Sequence, residues 1–172
     1  MEKTAKSSSF AFKRILLIVL TVIVWVVGDQ LAQNWITSYP LNTDIVKIGF
    51  IRIVHIQNTG SAFGFFQGKM PIIRVVAAIG VAVLVFIAFW VYRKYPGLVT
   101  KWNALAYGLI MGGAIGNLID RFRFGFVVDF VDVGFWPVFN VADSGITIGV
   151  IMVAITLLRS IIMERKSKPP AS

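Results

Sequence analysis

The sequence predicts a mainly α-helical membrane protein with four spans, and three observations carry that expectation. Of 172 residues, 57% are hydrophobic and only 15% are charged, a balance far from that of soluble domains. The apolar residues run in uninterrupted stretches, and crossing a bilayer needs about 20 of them at about 1.5 Å of rise each. The basic residues are also segregated along the chain in the way that fixes membrane orientation.

The four expected spans are residues 15–35, 75–92, 102–119 and 144–163. The second and third carry no charge, the first holds only Asp29, and the fourth holds only Arg159. Lys13 and Arg14 precede the first run as they would in a secretory signal peptide. That reading fits poorly, because the run is too long, no small-x-small cleavage pattern follows, and Asp29 and Gln30 interrupt it.

Four spans place both termini and the 93–101 hairpin, with Pro96 and Gly97, on one side of the membrane. That side holds 11 of the 17 basic residues, from Lys3 to Lys168, and only Glu2 and Glu164 among the eight acids. It is therefore expected to be cytoplasmic. The net charge of +9 is explained by this distribution, and no nucleic-acid partner is expected. The tails 1–12 and 164–172 are expected to be disordered cytoplasmic segments.

Two connections remain for the outer face. The first, 36–74, contains DIVKIGFIRIVHIQNTGSAFGFF, whose β-branched and aromatic content with partial alternation suggests short strands. The second, 121–142, contains Gly134, Trp136 and Pro137, which break a helix. No inverted repeat of the transporter kind is evident. The whole chain reads as one integral membrane domain, 1–172.

The polar residues within the spans share one depth. Counting outward from the bounding cytoplasmic cation, Asp29 lies 15 residues beyond Arg14, Asn117 lies 16 beyond Lys101, and Asp143 lies 16 before Arg159. At about 1.5 Å per residue all three sit roughly 22 to 24 Å from the inner boundary. Ionisable groups inside a membrane are costly and mark function by default. Asp143 could alternatively cap the last helix, since Asp-Ser-Gly often starts one, but capping leaves Asp29 and Asn117 unexplained. Asn117, Asp120 and Arg121 can share the outer end of the third helix. Gly108, Gly112 and Gly116, with Gly113 beside them, form a small-xxx-small strip suited to close helix packing.

Several chemistries are poorly supplied. There is no cysteine, so thiol nucleophiles, thiolate metal sites and disulfides are excluded. His55 is the only histidine and reads as a surface residue of the outer strands. A hydrolase using Ser61 or Ser144 would lack an evident base, and carboxylates alone offer no recognisable metal loop. A pair of aspartates remains. Two within reach of each other retain one proton, so one can activate water while the other protonates or polarises a carbonyl.

The motifs DQ at 29–30, NTGSAFG at 58–64, GNLIDR at 116–121, VVDF at 127–130 and FNVAD at 139–143 resemble, in order and spacing, those of lipoprotein signal peptidase, or signal peptidase II. The resemblance covers roughly residues 14–163. It implies that Asp129 and Asp143 form a catalytic dyad that cleaves a prolipoprotein just before its lipid-modified cysteine. It further implies that Asp29, Asn58, Asn117, Asp120, Arg121 and Asn140 support the dyad or hold the substrate. An outer-face β-cradle from the first long loop, a lid from the last, and no metal or other cofactor are also implied. The expected partners are the lipidated precursor and membrane lipids, and the expected state is a monomer. The implied location is the bacterial cytoplasmic (inner) membrane, multi-pass, with the active site near the outer face.

The chain departs from the family at Gln33, where many members carry a basic residue, so whatever contact that cation makes is altered here. Asp132 has no motif partner and reads as a solvated or lid charge, and Trp136 reads as an interface anchor or a lid residue. Two other classes stay open on the residues alone. An ion-coupled carrier could relay through Asp29, Asp120 and Asp143, although the inner halves of the spans are apolar, and a non-catalytic scaffold would leave the motifs incidental.

Overall fold

The computed structural model describes residues 2–60, 70–95 and 100–167. Ser61, the later part of the NTGSAFG motif, the Pro96–Gly97 turn and the end of the C-terminal tail lie outside these residues. Among the described residues, four helices and three strands follow in the order α1 (Glu2–Ile36), β1 (Asp44–Ile48), β2 (Ile51–Asn58), α2 (Met70–Lys94), α3 (Lys101–Arg123), β3 (Val127–Asp132) and α4 (Val141–Ser167).

Among the described residues, three helices are long and apolar enough to cross a membrane, over Phe12–Ile36, Met70–Val91 and Val141–Met163. The expected third span, 102–119, lies in α3, which is long enough at 23 residues but is not among them. Its sequence is diluted by Asn103, the four glycines, Asn117, Asp120, Arg121 and Arg123. The reason is its position. α3 packs on α1, α4 and α2, and its buried residues are almost all small or polar.

The glycine strip is what lets the helices come so close. A Cβ added at Gly112 would stand 2.9 Å from the Trp25 Cβ of α1, and one at Gly113 would stand 2.2 Å from the Ala142 carbonyl oxygen of α4. α3 is capped by Thr100, whose hydroxyl accepts from the Asn103 N–H, satisfying one orphan donor of the first turn.

The N-terminal tail differs from expectation. α1 starts at Glu2, so residues 2–12 continue a helix instead of forming a disordered segment. The run EKTAK contains good helix formers and neither glycine nor proline, so nothing stops the helix from extending.

The expected strands form, and a third joins them. β1 and β2 make an antiparallel hairpin in which Ile48 faces Ile51, closed by Gly49 at φ 61° and Phe50. β3 pairs antiparallel with the other edge of β2, with Ile56 opposite Asp129 and Asn58 opposite Val127. Thus residues 127–132, read from sequence as part of an irregular lid, are a strand of the sheet. Ile36 at the end of α1, Val128 and Phe130 form a buried cluster with Ile45, Ile53, Phe126 and Val141 around it. That cluster seats the sheet on the end of α1 and the start of α4.

Candidate active site

The site is assembled where β3 and the start of α4 meet α1 and α3. Asn140 caps α4. Its side-chain oxygen accepts from the Asp143 N–H at 2.8 Å, and its carbonyl accepts from the Ser144 N–H at 3.2 Å. The capping role considered for Asp143 therefore falls to Asn140, three residues earlier, which leaves the Asp143 carboxylate free for other partners. One of them is Asn117, whose Nδ2 donates to Asp143 Oδ1 at 2.8 Å.

Asn140 also links the two motif aspartates. Its Nδ2 lies 3.1 Å from Asp129 Oδ1 and 3.0 Å from Asn117 Oδ1. Asp129 and Asp143 are thus joined through Asn140 and Asn117 by a short hydrogen-bond chain. The second oxygen of Asp129 accepts from Asn58 Nδ2 at 2.8 Å. Asn58 is oriented by the Gly60 N–H, which donates to its oxygen at 2.8 Å, so its NH₂ faces the carboxylate.

Asp129 is 2% exposed, and the consequence is electrostatic. Burial, opposed by the Asn58 hydrogen bond and reinforced by the neighbouring charge of Asp143, pushes its pKa from 3.8 up to about 7. Arg121 is close enough for its positive charge to act on Asp129 and Asp143, while its Nη1 donates to the Asn117 carbonyl at 2.8 Å.

Asp29 and Asp120 are fully buried and accept from backbone N–H groups. The Ala142 N–H donates to Asp29 Oδ1 at 2.9 Å, and the Val128 N–H to Asp120 Oδ2 at 3.3 Å. The shared depth of Asp29, Asn117 and Asp143 inferred by counting is therefore matched by contact among α1, α3 and α4.

Sequence reading noted Gln30 and Gln33 but gave them no partners. Gln33, 1% exposed, donates to Asp29 Oδ2 at 2.8 Å, and Gln30 donates to Asp120 Oδ1 at 2.8 Å. The departure at Gln33 thus meets a buried carboxylate, and the i,i+4 spacing of Asp29 and Gln33 was the signal. Trp25 was missed; its Nε1 donates to the Val141 carbonyl at 2.9 Å.

Two other expectations, for Asp132 and His55, are corrected, and the expectation that Ser144 lacks a base stands. Asp132 is 7% exposed and pairs with Arg52, its cross-strand neighbour, while accepting from the Gly134 N–H at 2.7 Å. Those two contacts hold its pKa below the usual carboxylate range. His55 is buried, not superficial, with Nδ1 2.8 Å from the Tyr39 carbonyl. Ser144 Oγ donates to the Asn140 carbonyl at 3.0 Å, and His55 is committed elsewhere, so Ser144 has no histidine base.

Asp143 opens onto a cleft of about 390 Å³ whose walls are Val133, Phe135, Trp136 and Phe139 of the β3–α4 connection and Thr147 and Ile148 of α4. Phe135 and Trp136 are 82% and 64% exposed. Among the described residues no group of three histidine or acidic side chains is placed to hold a metal ion. What the arrangement offers is two hydrogen-bonded carboxylates, one with an elevated pKa, beside an apolar trough.

Comparison with known proteins identifies relatives of this chain. The profile of the Peptidase_A8 family, signal peptidase (SPase) II, matches residues 20–159. A lipoprotein signal peptidase of Dehalococcoides mccartyi is 44% identical over 127 residues, covering 73% of this chain and 79% of its own. One of Desulforapulum autotrophicum is 42% identical over 146 residues, covering 80% and 87%. A bacterial membrane enzyme solved by the in meso method at 2.3 Å superposes with a TM-score of 0.73 at 30% identity, covering 90% of this chain and 94% of that one. On the strength of the profile match and these relatives, the chain belongs to the signal peptidase II family of membrane-embedded aspartic endopeptidases.

Proposed function

We propose that this enzyme removes the signal peptide from diacylglyceryl-modified prolipoproteins, cleaving just before the lipidated cysteine, with Asp129 and Asp143 as its catalytic pair. The observation that carries this reading is the joining of the two carboxylates through Asn117 and Asn140 at the mouth of an apolar cleft.

The pair shares one proton. Its ionised member takes a proton from water, whose oxygen attacks the scissile carbonyl. Its neutral member donates a hydrogen bond to that carbonyl oxygen and, as the tetrahedral intermediate collapses, a proton goes to the departing amine. Burial of Asp129 and its pKa near 7 suit it to carry the proton at neutral pH. Asn58, Asn117 and Asn140 hold the carboxylates in register, and Arg121 offsets part of their charge. The apolar cleft under Phe135 and Trp136 suits a signal peptide or acyl chain arriving from the bilayer, and the 133–139 connection folds over it as a lid.

In this reading α3 crosses the membrane with the other three helices, its polar residues shielded by them. Both termini are then cytoplasmic, as the basic residues require, and the site faces outward at the bacterial inner membrane. The enzyme works as a monomer among membrane lipids, without nucleic acid.

The test is to incubate purified wild type, Asp129→Asn and Asp143→Asn with a diacylglyceryl-modified prolipoprotein in detergent and to follow signal-peptide loss by gel shift. Wild type should cleave, and each variant should lose at least about 10³-fold in rate while remaining folded. Turnover retained by either variant would remove that aspartate from the mechanism.

A further inference from the structure

Each aspartate of the pair follows a residue whose backbone N–H is held by a different carboxylate. Ala142, just before Asp143, donates to Asp29 of α1, and Val128, just before Asp129, donates to Asp120 of α3. These two holding carboxylates are themselves connected. Gln30 Nε2 donates to Asp120 Oδ1 at 2.8 Å and stands 3.4 Å from Asp29 Oδ2 and from Gln33 Oε1, while Gln33 Nε2 donates to that same Asp29 oxygen.

A glutamine amide can be turned either way round, so its orientation must be fixed by a neighbour of known polarity. Arg123 supplies one. A guanidinium only donates, and Arg123 Nη1 lies 2.8 Å from Gln30 Oε1. The amide oxygen is thereby committed to Arg123 and the NH₂ to the carboxylates.

We propose that Gln30, oriented by Arg123, is a positioning residue that ties Asp29 and Asp120 into one brace and so fixes the backbone immediately ahead of both Asp129 and Asp143. The inference rests on the reading of those two as the catalytic pair. Gln30 touches neither reacting carboxylate; it acts at one remove, through backbone amides contributed by β3 and α4. Those elements are joined by eight residues, 133–140, and meet where Phe139 pairs with Val131; the brace adds a hold on the residue just before each aspartate. A misplacement of about 1 Å can cost on the order of 10²-fold in rate, which is the scale on which such a brace matters.

The experiment compares wild type, Gln30→Leu, Arg123→Leu and the double variant in detergent, reading kcat, KM and residue-resolved amide hydrogen exchange. Gln30→Leu should lower kcat by about tenfold to a hundredfold with KM within about twofold. Arg123→Leu should cost less, and the double variant should match Gln30→Leu alone, because Arg123 acts through Gln30. Exchange at Val128 and Ala142 should quicken about tenfold or more, while Phe130, whose N–H bonds to the Phe139 carbonyl, should not change.

Unchanged exchange at Val128 and Ala142, or quickening spread evenly over β3 and α4, would overturn the brace. So would multiplicative effects of the two single variants. If wild type failed to cleave the lipidated precursor while the two amides responded as expected, the brace would stand and the proposed substrate would fall.

Discussion

α2 and α3 are packed side by side and are nearly equal in length, at 25 and 23 residues, yet they are written for different surroundings. The apolar window of α2 has no buried residue, and Val75, Ile79, Val83 and Phe86 all lie on the outside of the fold. α3 buries nine residues, of which only Leu109 is a large apolar one. Lipid is as apolar as leucine, so a helix facing it is stabilised by oily side chains, whereas helices meet one another through small residues and internal hydrogen bonds. Hydropathy along these helices therefore reports what each one touches. The helix that looks least like a membrane span is the one carrying Asn117, Asp120 and Arg121.

The contrast breaks most sharply at glycine. A side chain at Gly113 would meet the Ala142 carbonyl at 2.2 Å and Ile146 at 2.8 Å, whereas one at Gly80 of α2 meets nothing within 4 Å. Gly113→Leu must displace the start of α4 and Asp143 with it, so cleavage should fall by more than about 10²-fold, with about 3 kcal/mol or more of lost stability. Gly80→Leu should stay within about twofold in rate, since it only adds lipid-facing surface. Cleavage rates and detergent melting curves for the pair decide the matter, and a tolerated Gly113→Leu would end the comparison.

A polarity swap tests the same contrast with a somewhat smaller effect. Asn117→Leu removes the donor to Asp143 and the acceptor for Asn140. It should lower kcat by about 10²-fold, the scale of losing one preorganised hydrogen-bonding group at a reacting centre. Val83→Asp on α2 should do the reverse. It should cost about 2.5 to 3.5 kcal/mol of membrane insertion, measurable as reduced integration, while the inserted fraction cleaves at the normal rate.

The smallest effect measures how far the polar regime around α3 reaches into the sheet. The Asn58 N–H stabilises the ionised form of Asp129, whose pKa lies near 7. Wild-type activity should decline as pH rises through that value and the shared proton is lost. Asn58→Ala removes a stabiliser of the charged form, so the pKa rises and the alkaline limb should move upward by about half to one pH unit. A limb that stayed put or moved downward in a pH–rate profile would separate Asn58 from the titration of the pair.

Much of this was readable along the chain because membranes simplify the code. Depth could be counted from the bounding cations, and Asp29, Asn117 and Asp143 do converge. The glycine strip could be read as a packing face, since only small residues recur at that spacing. β3 was not legible. A strand announces itself by alternation when one face is solvated, but five of its six residues are buried, so VVDFVD shows no such pattern. Asp132 was misjudged for a related reason, because its partner Arg52 lies 80 residues away on a neighbouring strand.

Read along the chain, the residues give the membrane class, the family motifs and the groups able to carry carboxylate chemistry. These follow from composition and spacing, which are local properties of the chain. It takes the folded molecule to show that Asn140, not Asp143, caps α4, that Asn140 and Asn117 join the two aspartates, and that Gln30 and Gln33 face buried carboxylates. Hydrogen-bond partners up to 116 residues apart, as Trp25 and Val141 are, are chosen by geometry. A buried polar group must find a partner wherever the fold brings one within reach, and spacing along a chain carries no record of that choice.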